Sequence, residues 1–93
     1  MDPVAGAKFL GVLADGTRIQ ILQLLAGGEL AVAQVSDALA IPHYQASRHL
    51  SALKSVGLVE GRRDKRRVLY QLTPAGREGH VDLGCCTVEF SRT

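Results

Sequence analysis

The 93-residue chain has no tryptophan, only two tyrosines and two phenylalanines, and just two cysteines. Hydrophobic residues still make up 46% of it, the balance of an ordinary globular domain without large aromatic anchors. No run approaches the roughly 18 apolar residues that a membrane-spanning helix needs, so no such span is expected. The opening residues, MDPVAGAKFLGVLA, lack the basic start of a secretory signal, which makes the cytoplasm the expected compartment. Thiols stay reduced there, so two cysteines do not imply a structural disulfide. A Gly-rich phosphate loop, a zinc motif and a nucleophile with an evident base are also missing. His43, His49 and His80 are scattered, and an enzyme is not expected.

Ninety-three residues make one domain, 1–93. A chain of this size buries only about 60–65% of the surface its unfolded form exposes, so it is marginal alone. A homodimer would add core. The expected contact is the first helix with the C-terminal segment, because Val4, Phe9, Val12 and Leu13 exceed what the rest of the domain needs.

The net charge is only +2, but it is unevenly spread. Residues 43–67 carry Arg48, Lys54, Arg62, Arg63, Lys65, Arg66 and Arg67 against Glu60 and Asp64. The remainder is mildly acidic. Such a distribution is either a plain solvated charge run or a footprint for a polyanion on one face.

Hydrophobic spacing places the elements. A first helix is expected over about 4–14, weakened by Gly6 and Gly11. ADGTRIQILQLLAGG is a stronger helix, with Asp15 or Thr17 as its cap and Gly27–Gly28 as its stop. AVAQVSDALA is a short third helix, broken by Ile41–Pro42. HYQASRHLSALKSVG, 43–57, is a fourth, with Ala46, Leu50 and Leu53 forming its inward stripe. The period then falls to two. LVEGRR and RRVLYQL read as a β-hairpin over 58–73 around Asp64–Lys65, and TPAGREGH breaks it. VDLGCCTVEF is strand-like over 81–91.

The expected fold is therefore mainly α with a small β-hairpin, a winged helix-turn-helix. Its second short helix, 43–57, would enter the major groove of double-stranded DNA. The face opposite its apolar stripe presents His43, Gln45, Ser47, Arg48 and Ser51, with Tyr44 beside them. Gln pairs with adenine and Arg with guanine. The hairpin tip RRDKRR, with Arg63, Lys65, Arg66 and Arg67, suits phosphates or the minor groove. His49 falls on the packed flank and reads as a hydrogen-bonded structural histidine. Tyr70 reads as core. The rival reading is a protein-interaction winged helix with little affinity for DNA.

LADGTRIQILQLL and SDALAIPHYQASRHLSALKSVGLVEGRRDKRRVLYQL, within roughly residues 7–73, resemble the ArsR/SmtB family of small dimeric bacterial repressors. The resemblance implies a transcriptional repressor that binds operator DNA as a homodimer, with Gln45, Ser47 and Arg48 at the recognition positions. It also implies release by a metal, metalloid or other signal. The departures are informative. Where arsenic and cadmium sensors of the family carry a Cys-Val-Cys box, this chain reads ELAVAQV, with Ala31 and Ala33. Where zinc sensors carry a C-terminal helix rich in Asp, His and Glu, only His80 and Asp82 are near. Gly16 stands at a common family proline.

Cys85 and Cys86 are the only soft ligands left. Three readings stand: ligands for arsenite, antimonite or another thiophilic ion acting as inducer, a redox switch, or small hydrophobes in a strand. No cofactor is otherwise required. Full coordination of arsenite usually takes three thiolates, so a second subunit or an added thiol would supply one. In a regular strand the two cysteines would face opposite ways, Cys86 with Val88 and Phe90, unless Gly84 breaks it.

Overall fold

Two aspartates start the first two helices of the computed structural model, which describes residues 1–90. Asp2 caps α1 (Pro3–Leu13) by accepting from the Ala5 N–H. Asp15 caps α2 (Gly16–Leu25) by accepting from the N–H groups of Thr17 and Arg18, so Asp15, not Thr17, is the cap. Each cap satisfies N–H groups that the helix itself leaves unpaired. Ile21, Leu22 and Leu25 carry α2 into the core.

Phe9, Val12 and Leu13 of α1 are buried within the chain's own core. They are therefore not the free apolar surface expected of them. What α1 leaves outside is Val4, 78% exposed, and Leu10, 40% exposed.

After α2 the chain forms β1 (Leu30–Ala31), α3 (Val32–Leu39), α4 (His43–Ser55), β2 (Val59–Asp64) and β3 (Arg67–Leu72). The three strands make an antiparallel sheet in the order β1-β3-β2. The hairpin expected over 58–73 is thus joined by a third strand. The inward stripe of α4 meets Ile21 and Val35 from the helices and Leu58 and Val59 from the wing's base. Ala46, Leu50 and Leu53 are fully buried there.

TPAGREGH is not merely a break. Thr73 caps α5 (Pro74–Glu78), its hydroxyl accepting from the Gly76 N–H. Gly76 lies against the Leu58 carbonyl so closely that a Cβ would collide with it. The glycine is required for α5 to dock on the sheet.

The continuous strand-like tail expected over 81–91 does not form. Gly84 takes φ 91, and its N–H donates to Asp82 Oδ1 at 2.8 Å. The Leu83 N–H donates to the Cys86 carbonyl at 2.8 Å. The chain turns back, pairing β4 (His80–Asp82) with β5 (Thr87–Glu89). Cys85 and Cys86 sit in the turn and both are exposed. Cys86 therefore does not share a packed face with Val88 and Phe90, and the reading of the pair as small core hydrophobes fails. Phe90 reaches the core, with the half-buried Val81 packed against it, and the Phe90 N–H donates to the Gly79 carbonyl. Residue 91, the last of the expected tail, lies outside the described residues. No described helix is long and apolar enough to cross a membrane.

Candidate nucleic-acid interface

The turn between α3 and α4 is three residues, 40–42. Ala40 adopts the left-handed conformation, φ 54, and the Ile41 N–H reaches back to the Ser36 carbonyl at 3.1 Å. The Ser36 hydroxyl in turn donates to the Ile41 carbonyl. Pro42 then stands as the cap of α4, its backbone extended at ψ 148 just before the helix begins. These bonds fix the second helix relative to the first, which is what a groove-reading helix pair requires.

With Ala46, Leu50 and Leu53 turned inward, α4 leaves the other side to water. His43, Tyr44, Arg48 and Ser51 are exposed, and Gln45 and Ser47 are half-buried. Tyr44 is 67% exposed, and its hydroxyl accepts from Gln45 Nε2 at 3.3 Å. All six polar residues expected on this helix lie on one element with no role in the core. His49 is buried and accepts from Arg18 Nε at 3.1 Å.

The wing is a regular hairpin from Val59↔Leu72 to Asp64↔Arg67, closed by the two-residue turn Lys65–Arg66. Lys65 holds φ 58, a conformation that favours glycine or asparagine and that tight hairpin turns demand. Arg63, Lys65, Arg66 and Arg67 are all exposed around it, the last within 3.6 Å of Asp64. Tyr70 is half-buried and packs on the core, and its ring lies over Gly61 across the strand pair.

The Arg18–His49 bond and a second contact, between Arg62 and Glu29, pair residues that no pattern in the sequence joins. Arg62 donates from Nε and Nη2 to the two carboxylate oxygens of Glu29, at 3.0 and 2.6 Å. The hydrogen bonds hold the Glu29 carboxyl below the usual range and raise the Arg62 guanidinium above its own. Arg18 also donates from Nη1 to the Val12 carbonyl, at 3.3 Å.

At the far end of the chain the Cys85 and Cys86 sulfurs are 3.7 Å apart. Their mutual hydrogen bond, with Asp82 also near, pushes the Cys86 thiol up. Among the described residues no group of three or more His, Cys, Asp or Glu side chains is placed to hold a metal ion. The turn opens on an apolar cleft lined by Pro3, Ala7 and Leu10 of α1 with Leu83 and Cys85.

This arrangement is found in known proteins. The family described as "Helix-turn-helix domain" matches residues 13–62. An HTH-type transcriptional regulator of Mycobacterium tuberculosis is 50% identical over 60 residues, covering 64% of this chain and 26% of that protein. The transcriptional repressor SmtB of the same species is 40% identical over 68 residues, covering 73% of this chain and 50% of its own. Among solved structures, the homodimeric winged helix-turn-helix DNA-binding domain of a Mycobacterium bovis protein superposes with a TM-score of 0.73 at 42% identity. That match covers 80% of this chain and 68% of the other. The chain spans between 26% and 60% of the length of the first curated relatives it matches. With the helix pair, the wing and these relatives in agreement, the chain belongs to the ArsR/SmtB family of winged helix-turn-helix transcriptional regulators.

Proposed function

We propose that this chain binds double-stranded operator DNA as a homodimer and represses transcription. In this reading α4 enters the major groove and the wing tip meets phosphates. The observation that carries it is the division of α4: Ala46, Leu50 and Leu53 are wholly buried. His43, Tyr44, Gln45, Ser47, Arg48 and Ser51 remain for base edges and the nearby backbone. Arg63, Lys65, Arg66 and Arg67 supply a sequence-independent attraction. The homodimeric Mycobacterium bovis neighbour and the exposed Val4 and Leu10 of α1 support a two-fold assembly. Two-fold symmetry would set half-sites about one helical turn apart.

We also propose that a thiophilic ion, arsenite or antimonite by class, releases the DNA by binding Cys85 and Cys86 in the cytoplasm. The two sulfurs are 3.7 Å apart, near enough for both to bind one thiophilic ion. A second subunit or an added thiol completes the coordination. The cleft beside Cys85 runs along α1, so a change in the turn can act on the helix that the dimer would use. Any inducer of this kind must bind the free form more tightly than the DNA-bound form.

Titrating the protein onto mixed-sequence duplex at low and moderate salt tests the first proposal. Affinity should fall steeply as salt rises. Negligible binding at low salt would instead make the fold a protein-interaction module. Footprinting on the chain's own promoter region, with and without arsenite, tests the second.

A further inference from the structure

We infer that Glu29 and Arg62 form a clasp that sets the wing for DNA binding, which makes Arg62 a positioning residue and not a phosphate ligand. This rests on the proposed DNA binding of the wing. Arg62 belongs to the basic hairpin tip RRDKRR, where each cation would be counted as a phosphate contact. Its geometry sets it apart. Arg63, Lys65 and Arg66 make no ion pair among the described residues, whereas Arg62 is held in a bidentate fork.

The fork spans the sheet. Glu29 immediately precedes β1 at one edge, and Arg62 lies on β2 at the other, with β3 between them. The register puts Ala31 and Arg62 on either side of Leu69, and directly opposed residues share a face. Leu69 and Ala31 are both buried, yet neither belongs to the main core. The ion pair therefore arches over Leu69, tying the outer strand of the wing to the segment that leads into α3. An arginine stem can cover apolar surface while its head stays wet. An exposed ion pair usually contributes little, but bidentate arginine–carboxylate geometry is the favourable exception. Releasing Arg62 to a phosphate would break two charge-assisted hydrogen bonds and uncover Leu69.

The test uses Glu29→Gln, Arg62→Ala, and the exchanged pair Glu29→Arg with Arg62→Glu, which preserves net charge. Binding to a mixed-sequence duplex is followed across a salt series. The clasp predicts that the first two variants lose about two- to fivefold in affinity, with the slope of log affinity against log salt unchanged. The exchanged pair recovers the loss. If Arg62 were a phosphate ligand, Arg62→Ala would flatten the slope by about one, and the exchanged pair would bind worse still. If Glu29 merely competed with phosphate, Glu29→Gln would raise affinity and steepen the slope. Either result, or no change in any variant, overturns the proposal. Hydrogen exchange of the free protein separates its failure from that of DNA binding. Glu29→Gln should speed exchange of the β2 and β3 amides and spare those of α2 and α4. Faster wing exchange in Glu29→Gln, alongside a parent chain that binds no duplex, would refute the DNA reading alone. Unchanged wing exchange would refute the clasp whatever the DNA result.

Discussion

Arg18 Nε lies 3.1 Å from His49 Nδ1, and this hydrogen bond ties α2 to the buried flank of α4. The same guanidinium donates to the Val12 carbonyl, so one side chain joins three helices. Nδ1 is the acceptor, which puts the proton of the neutral ring on Nε2. His49→Leu fills similar space but leaves Arg18 without that partner, at a cost of about 1–3 kcal/mol. His49→Gln retains an acceptor and should lose less. Urea unfolding decides it: a leucine variant as stable as the parent would mean that the bond is idle.

Gly76 and Gly11 should respond to alanine with opposite signs. A Cβ at Gly76 strikes the Leu58 carbonyl, so Gly76→Ala must push α5 off the sheet, at about 1–3 kcal/mol for the overpacking. Gly11 lies inside α1 facing open space, so Gly11→Ala should add about 0.5–1 kcal/mol through helix propensity. Thermal unfolding of the two variants would contradict the packing described if both moved together.

Arg48→Ala and the double change Arg66→Ala with Arg67→Ala should fail differently on DNA. Arg48 lies exposed on α4, clear of its buried stripe. Its loss should cost about 1–3 kcal/mol on the specific site and relax sequence preference. Arg66 and Arg67 flank the wing turn, and their loss should weaken all sequences alike and flatten the salt dependence. Anisotropy titrations on specific and random duplexes would refute these roles if both changes acted equally on both DNAs.

Glu29 gives the wing a pH dependence with a defined sign. The hydrogen bonds from Arg62 depress its folded pKa, so the stabilisation is fully present above the unfolded value and is lost as pH falls through the depressed one. Amide shifts of β2 and β3 should stay constant through neutral pH and move only below the ordinary glutamate range. Glu29→Gln should remove that acid step. A wing transition unchanged in that variant would assign it to another carboxylate.

The helices and the wing were legible because each carries a period long enough to read. Ala46, Leu50 and Leu53 mark one face of α4 over two turns, and Asp15 announces the start of α2. β1 has two residues and α5 has five, too few for any period to show. The two polar bonds were invisible for another reason. Arg62 and Glu29 are 33 residues apart, and Arg18 and His49 are 31 apart, so only the tertiary fold brings them together. The tail turn did have a signal. Gly84 two residues after Asp82 is the composition of an Asx turn, and it outweighed the β-branched residues around it.

That turn decides what the cysteines can do. Both thiols are exposed, so Cys85→Ser and Cys86→Ser should leave stability within about 0.5 kcal/mol, as surface changes do. If the pair is the sensor, arsenite in reducing buffer should weaken operator binding, and either serine variant should abolish the response without altering affinity in its absence. The coupling route is short. Cys85 and Leu83 share a cleft with Pro3, Ala7 and Leu10, so an ion seated on the two sulfurs, with the further ligand it needs, would press the turn against α1. In the proposed dimer a shift there would change the spacing of the two recognition helices, and binding linkage would convert it into DNA release. A redox switch would behave otherwise. A disulfide between adjacent cysteines closes a strained ring, so an oxidant such as diamide would release DNA, a thiol would restore it, and arsenite under reducing conditions would do nothing. Arsenite-driven release that persists in the double serine variant would sink both readings and move the sensor elsewhere in the chain.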